Sequence, residues 1–435
     1  MGLKMSDVKL TVVDGKKDIP FVSDCKNLDV AGFYPWALAF KRNATDMYEK
    51  GFDKSLIRSD IAEFIFKNKA EFKVANEKSV PNLETLFKYK TFDMEAYTIV
   101  LINGKYIAEI SDEDDLPFSI YSDGVKNCLI DNPEFLQNRV FIGEDLFVRL
   151  NSAYLCDGIV LKVAKGESLS KPIHIISLYL SDEGVVFANP RIVVELEEGV
   201  SLDLLESTLS FDGVRYFENK VLQVDLKAGA VLNHYRYTDC SKDCVSVERD
   251  FVECGDMASY NMFNSVKKSG IQDVQYNFNI LTGSNVNAYT SVYGNGDKER
   301  VFVANISHIG NNGNSDVQFV GVADEMAKVS FKTGLSTSAL LEKIKTAQVS
   351  KILLLSDGAA GTIKPFQSIY SQNVSAFHGA TVSGIRDDDL FFLKSRGIDD
   401  KSAREIIYKS FLAGCFGGIK NSLVFDEFVK FYWDD

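Results

Sequence analysis

Arg191-Ile192-Val193-Val194-Glu195-Leu196 with the turn Glu198-Gly199, then Val221-Leu222-Gln223-Val224-Asp225-Leu226 with the turn Ala228-Gly229, decide how this chain folds. Each run is β-branched and apolar, and each stops at a glycine that permits a left-handed backbone. The same order occurs upstream, where Gly158-Ile159-Val160-Leu161-Lys162-Val163 leads into Lys165-Gly166 and Pro172-Ile173-His174-Ile175-Ile176 follows. The turn glycines Gly166, Gly199 and Gly229 are 33 and 30 residues apart. A strand-turn unit repeated at that interval is what stacked β architectures produce, because one coil cannot bury its apolar face and a stack of coils shares a core. Hairpin sandwiches give similar spacing, so the repeat predicts a mainly β body and leaves its closure open.

Working outward, the strand pattern extends from about Asn151 to Asp357. Before it, Tyr97-Thr98-Ile99-Val100-Leu101-Ile102 runs into Asn103-Gly104, a hairpin turn signal, and Tyr106–Ile110 returns. The first 96 residues read as mostly helical. Pro35 to about Lys50 carries Trp36, Phe40, Met47 and Tyr48 on one face, and Ser59 or Asp60 is placed to cap a second helix through Ile61, Phe64 and Ile65. Residues 67–95 read as a connection. After the β-rich region, 97–384, comes a helical tail, 385–435. Asp387 or Asp388 precedes Leu390, Phe391 and Leu393. Asp399 or Asp400 precedes Ala403, Ile406, Ile407 and Phe411, Gly417-Gly418 breaks the chain, and Phe425, Phe428, Val429 and Tyr432 predict a last amphipathic turn.

With 46% apolar and 25% charged residues the chain is an ordinary folding sequence. A formal net charge of -13 argues against a nucleic-acid or anionic-membrane binder. The longest apolar runs are too short to span a bilayer, and the start, Met1–Asp7, lacks the apolar core of a signal peptide. Seven scattered cysteines without a CxxC pair predict a reduced, cytoplasmic protein.

No phosphate-cradling P-loop, no HExxH and no GxSxG occurs. Cys240, Cys244 and Cys254 are the densest thiol group; thiolates bind zinc or iron, but buried inert cysteine accounts for them more simply. His174, His234 and His308 lie in strands or turns and are assigned to surface or core. In Ser375-Ala376-Phe377-His378-Gly379-Ala380, strand alternation puts Ala376, His378 and Ala380 on one side and Phe377 and Gly379 on the other. An imidazole between small neighbours leaves room for a partner, and a hydrogen-bonded structural histidine is the competing reading.

At these residues the chain resembles the SufB/SufD family of iron–sulfur cluster assembly proteins, and its SufD branch in particular. His378-Gly379-Ala380-Thr381-Val382 with Asp389-Leu390-Phe391-Phe392-Leu393-Lys394-Ser395-Arg396-Gly397-Ile398 is similar to the family signature. Ile352–Ser356 with Lys364-Pro365, Asn151-Ser152-Ala153 with Asp157-Gly158, and Ala228-Gly229-Ala230 with His234-Tyr235-Arg236 also fit. The resemblance covers roughly residues 145–415; the N-terminal helices fit more loosely, with Ile61-Ala62-Glu63-Phe64 in place of the usual tryptophan-containing segment.

The resemblance implies a right-handed parallel β-helix core flanked by N-terminal and C-terminal α-helical regions. It implies a non-enzymatic scaffold subunit that pairs with SufB through the β-helix ends and binds the ABC-type ATPase SufC through its C-terminal helices. Leu390, Phe391, Phe392, Arg396, Ile406 and Phe411 are the expected SufC contacts. His378 is the expected interface residue and iron ligand for a nascent iron–sulfur cluster held in the complex rather than by this chain alone. Two positions depart from the pattern. Ala376 stands where a cysteine is usual, and Gly358–Thr362 lacks the usual acidic residue. Thiolates would then come chiefly from SufB, and a homodimer is the alternative pairing. Two other classes stay in play: a β-helix carbohydrate-active enzyme using Asp203, Glu206 and Asp212, which requires convergent carboxylates, and a stand-alone metal-binding protein using the three clustered cysteines.

Overall fold

A computed structural model describes residues 19–74, 95–112, 115–117, 119–167, 169–181 and 184–416. In chain order its strands are β1 (Phe72–Val74), β2 (Tyr97–Ile102), β3 (Lys105–Tyr106), β4 (Ile120–Gly124), β5 (Gly158–Val163), β6 (Ile173–Tyr179), β7 (Val185–Ala188), β8 (Arg191–Leu196), β9 (Ser201–Ser210), β10 (Tyr216–Leu226), β11 (Val231–Asp239), β12 (Val245–Cys254), β13 (Ser259–Lys268), β14 (Ile271–Ile280), β15 (Asn285–Gly294), β16 (Glu299–His308), β17 (Asn314–Ala323), β18 (Lys328–Thr337), β19 (Ile344–Leu354), β20 (Ala360–Ser368) and β21 (Val374–Gly384). One sheet runs β4-β5-β8 and then through every even-numbered strand from β10 to β20. The other runs β3-β2-β6 and then through every odd-numbered strand from β9 to β21. Each coil adds one strand to each sheet in parallel register, giving a β-helix of about seven turns. The strands that predicted a sandwich equally well therefore close as a solenoid.

The glycine period has a structural cause. Gly199 and Gly229 take φ 71° and 69°, and the same turn position is then filled by Met257, Gly283, Asn312 and Lys343, all with positive φ. The amides of the first five donate to a carbonyl of the next turn: Gly199 N–H to Ala228, Gly229 to Asp256, Met257 to Thr282, Gly283 to Asn311 and Asn312 to Glu342. Only the first members are glycine throughout, which is why the period fades from the sequence. Between the sheets lies a continuous apolar core that includes Leu204, Leu222, Val252, Phe278, Phe302, Phe319 and Phe331.

Helices cover the N-terminal side. They are α1 (Val22–Lys26), α2 (Pro35–Gly51), α3 (Ser59–Lys67), α4 (Val125–Asp131), α5 (Pro133–Gln137) and α6 (Leu146–Tyr154). Asn103 and Gly104, at φ 51° and 85°, form the expected hairpin turn between β2 and β3, although the return strand is only two residues long. Two caps differ from expectation. Helix α3 starts at Ser59, with Arg58 at the cap position, because the Arg58 guanidinium reaches the Gln272 and Glu299 carbonyls as well as Asp60. Helix α7 (Asp387–Lys394) starts one residue after Arg386, with no side-chain cap. Asp399 does cap α8 (Asp400–Ala413), accepting from the Ser402 amide. The short β1, within the expected connection, pairs with β7. The glycine break at Gly417-Gly418 and the amphipathic turn expected at Phe425–Tyr432 lie outside the described residues.

Candidate functional site

Strand β21 pairs with β19 on one side and, among the described residues, has no strand on the other; β20 ends the second sheet in the same way. Among the described residues the β-helix therefore stops in an uncovered coil. Register decides which way its side chains point. Ala376, His378, Ala380 and Val382 align with Thr346, Gln348, Ser350 and Ile352, four buried residues of the inward face. His378 thus occupies the inward face of a coil with no described residue stacked above it, and is exposed for that reason. Phe377 points outward and is 60% exposed.

Below His378 the mouth is polar. Gln348 is buried, its carbonyl accepts from Gln367 at 3.2 Å, and its own amide nitrogen has no partner. Thr333, Thr346 and Ser350 are buried nearby in the sheets that form this end. Deeper, Phe319 and Phe331 lie 5.1 Å apart and Phe302 packs on Phe331, so aromatic rings floor the mouth. Beside it, Tyr370 is 72% exposed, and Phe366 and Val382 are also open. Chemically the mouth offers one imidazole, several neutral hydrogen-bonding groups and unpaired strand edges. It offers no thiolate, since Ala376 fills the position two residues before His378. One nitrogen is an incomplete ligand set for iron, which calls for three or four convergent donors.

The tail helices divide the expected contact residues. Phe391 and Phe392 are 75% and 53% exposed, with the Arg396 guanidinium 4.2 Å from the Phe392 ring centroid. Leu390 is half-buried and Ile406 exposed. Phe411 is different: with Ile407, Tyr408 and Leu412 it packs on the outer face of the odd-strand sheet over β15 and β17, in the cluster that holds Tyr289, Tyr293, Val320 and Val322. Tyr408 stacks on Tyr293 at 5.0 Å. One face of α8 thus anchors the tail while the α7 rings face solvent.

The other histidines are internal. His174 meets Ser207 at 2.8 Å, and His308 meets Ser315 at 2.9 Å. His234 belongs to an ionic cluster inside the coil, with Glu206 at 3.1 Å on one ring nitrogen and Tyr260 at 3.0 Å on the other. Lys220 bridges Glu206 and Glu248, and Arg236 contacts Glu206, Glu248 and Asp250. Burial pushes the Glu206 carboxyl up, but Arg236, Lys220 and His234 hold it well below its ordinary range. Burial keeps His234 below its usual value despite Glu206. The sequence reading missed this cluster; its signal was charge at inward positions, which shows only when register is known.

The two alternative constellations do not assemble. Asp203 bonds Asn233, Asp212 pairs with Lys268 at the surface, and Glu206 is enclosed in the ionic cluster. Cys240 and Cys244 share a buried patch with Tyr216, whereas Cys254 lies in the main core. Burial raises the Cys244 thiol to about 11. No group of three or more His, Cys, Asp or Glu among the described residues is arranged to hold a metal ion.

Residues 179–411 match the family model described as SUF system FeS cluster assembly, SufBD core domain, and residues 53–175 match the SufBD protein N-terminal region. An iron–sulfur cluster assembly SufBD family protein of Synechocystis sp. is 26% identical over 331 residues, 72% of each chain. The iron–sulfur cluster assembly protein SufD of Escherichia coli is 21% identical over 74% of each chain. SufB of Bacillus subtilis is 21% identical over 62% of this chain and 58% of its own.

Proposed function

The chain belongs to the SufB/SufD family of iron–sulfur cluster assembly proteins, and from that premise we propose that it is a SufD-like scaffold subunit that pairs with a SufB-like partner and binds a SufC-like ABC ATPase. The observation that carries the reading is His378 on the inward face of the last, uncovered coil. Pairing of exposed strand edges is a general way to join two sheets. A partner strand laid against β21 would enclose His378 and cover Tyr370 and Val382. The nascent cluster is the cargo of that junction: His378 supplies a nitrogen, and the partner supplies the thiolates that Ala376 does not. No catalytic step is assigned to this chain, and ATP turnover belongs to the ATPase.

The ATPase contact is placed on α7 and the exposed edge of α8, through Phe391, Phe392, Leu390, Arg396 and Ile406. Phe411 serves that contact indirectly, by holding α8 to the sheet. Without a SufB-like partner the same uncovered edges support a homodimer. No helix among the described residues is long and apolar enough to cross a membrane. With the acidic charge and scattered thiols, this supports a reduced, cytoplasmic setting without membrane or nucleic-acid partners.

Coexpression with SufB-like and SufC-like subunits tests the reading. A complex is expected to copurify. His378→Ala should leave it intact, since the side chain is exposed, and reduce the cluster recovered by reconstitution. Failure of the wild-type chain to enter any such complex would sink the proposal.

A further inference from the structure

A cavity of about 470 Å³ lies far from the uncovered coil, between the end of α1, the β2–β3 hairpin, the start of α4 and the link from α6 into β5. That link, Tyr154–Gly158, is held firmly. The buried Lys41 ammonium donates to the Tyr154 carbonyl at 2.6 Å and the Leu155 carbonyl at 3.0 Å, and the Asp157 carbonyl accepts from the Arg191 amide at 2.9 Å. Gly158, at φ 113°, lets the chain pass against Arg191.

Five charged residues line this cavity: Lys126 pairs with Asp29 at 3.2 Å, Asp24 lies on the same wall, and Asp157 and Lys105 form no ion pair with each other. Asp157 is only 8% exposed, and its carboxylate makes no ion pair among the described residues. Lys105 lines the same cavity and makes no hydrogen bond or ion pair among the described residues, while its charge still acts on Asp157. The Tyr154 ring turns from this link towards Phe187, and its buried hydroxyl has no hydrogen-bond partner among the described residues. Leu28, Tyr106 and Val125 add apolar surface. A nearly buried carboxylate needs a donor, and one left without a full set is costly. Burial raises the Asp157 carboxyl above its ordinary range, as expected for an acid short of donors. The volume suits a small ligand.

We propose that this cavity binds a small zwitterion of the α-amino-acid class, its ammonium on Asp157 and its carboxylate on Lys105. Either charge alone would leave the opposite protein group unmatched, so the pair selects a molecule carrying both.

The test is saturation-transfer NMR and thermal shift on the full chain with glycine and L-alanine as probes, beside N-acetyl-L-alanine and L-alanine methyl ester. The free amino acids should bind. Each blocked analogue, and each of Asp157→Asn and Lys105→Met, should weaken apparent affinity by about tenfold or more. Absence of binding to the wild-type chain overturns the proposal. So does equal binding of the blocked analogues, or unchanged affinity in Lys105→Met. Should Asp157→Asn fail to fold, the analogues on wild-type protein and Lys105→Met decide the matter.

Discussion

His308 shows how one side chain ties this core to pH. It is buried beside Ser315, and burial pushes its imidazole down to about 4 from 6.5. The folded protein thus keeps it neutral at pH values where the unfolded chain would protonate it. Its contribution to stability is complete above about pH 6.5 and is lost as pH falls towards 4, amounting to roughly 3 kcal/mol at most. Urea midpoints measured across that range should fall on acidification, and His308→Gln should remove nearly one proton from the dependence. Lys220 gives the companion case. Lys220→Met would leave Arg236 as the one remaining cation on both Glu206 and Glu248 among the described residues, with His234 neutral beside Glu206, a loss of about 3–5 kcal/mol. A denaturation midpoint unchanged in that variant would mean the cluster is not closed to water. At this scale the sequence was partly legible. Alternation placed Ala376, His378 and Ala380 on one side, as found. Which side is inward depends on the Gln348–His378 register, and register is a property of two strands.

Among elements, the stacked turns repay the closest reading. Gly229 takes φ 69°, and a Cβ there would meet nothing nearer than Gly199 Cα at 4.0 Å. Gly229→Ala therefore isolates the left-handed backbone from any clash and should destabilise by about 1–2 kcal/mol. Gly158→Ala is the contrasting case: its Cβ would fall 2.0 Å from the Arg191 carbonyl oxygen, within the β5–β8 ladder. That variant should lose more, about 3–5 kcal/mol, or fail to fold; equal thermal midpoints for the two would contradict the close approach. The glycines at 166, 199 and 229 exposed the coil in the sequence. Met257, Asn312 and Lys343 concealed its continuation; at Met257 and Asn312 a turn amide bonded to the next coil holds a non-glycine residue at positive φ. The tail helices were legible as amphipathic elements. The split between Phe411, which anchors, and Phe391, which does not, required the sheet surface beneath them.

For the whole molecule, the stack has unequal ends. At the N-terminal side, the antiparallel strands β3 and β4 and helices α4–α6 close the sheets. At the other end β20 and β21, among the described residues, present unpaired backbone groups beside Tyr370 and Val382, the kind of edge that folded proteins otherwise protect. An uncovered edge invites a second copy of the chain, but a formal net charge of -13 on each copy opposes it. The two effects separate by ionic strength, since salt screens the long-range repulsion and leaves edge pairing and apolar contact largely intact. Sedimentation velocity on the isolated chain should therefore show weak self-association that strengthens as salt is raised. Tyr370→Asp with Val382→Asp should abolish it while leaving the circular dichroism spectrum unchanged. A SufB-like partner that uses the same edge must compete with the homodimer, so its addition should convert the self-associated species to heterodimer. If both assemblies form at once on one chain, the shared-edge account is wrong, and helices α7 and α8 become the place to look for one of them.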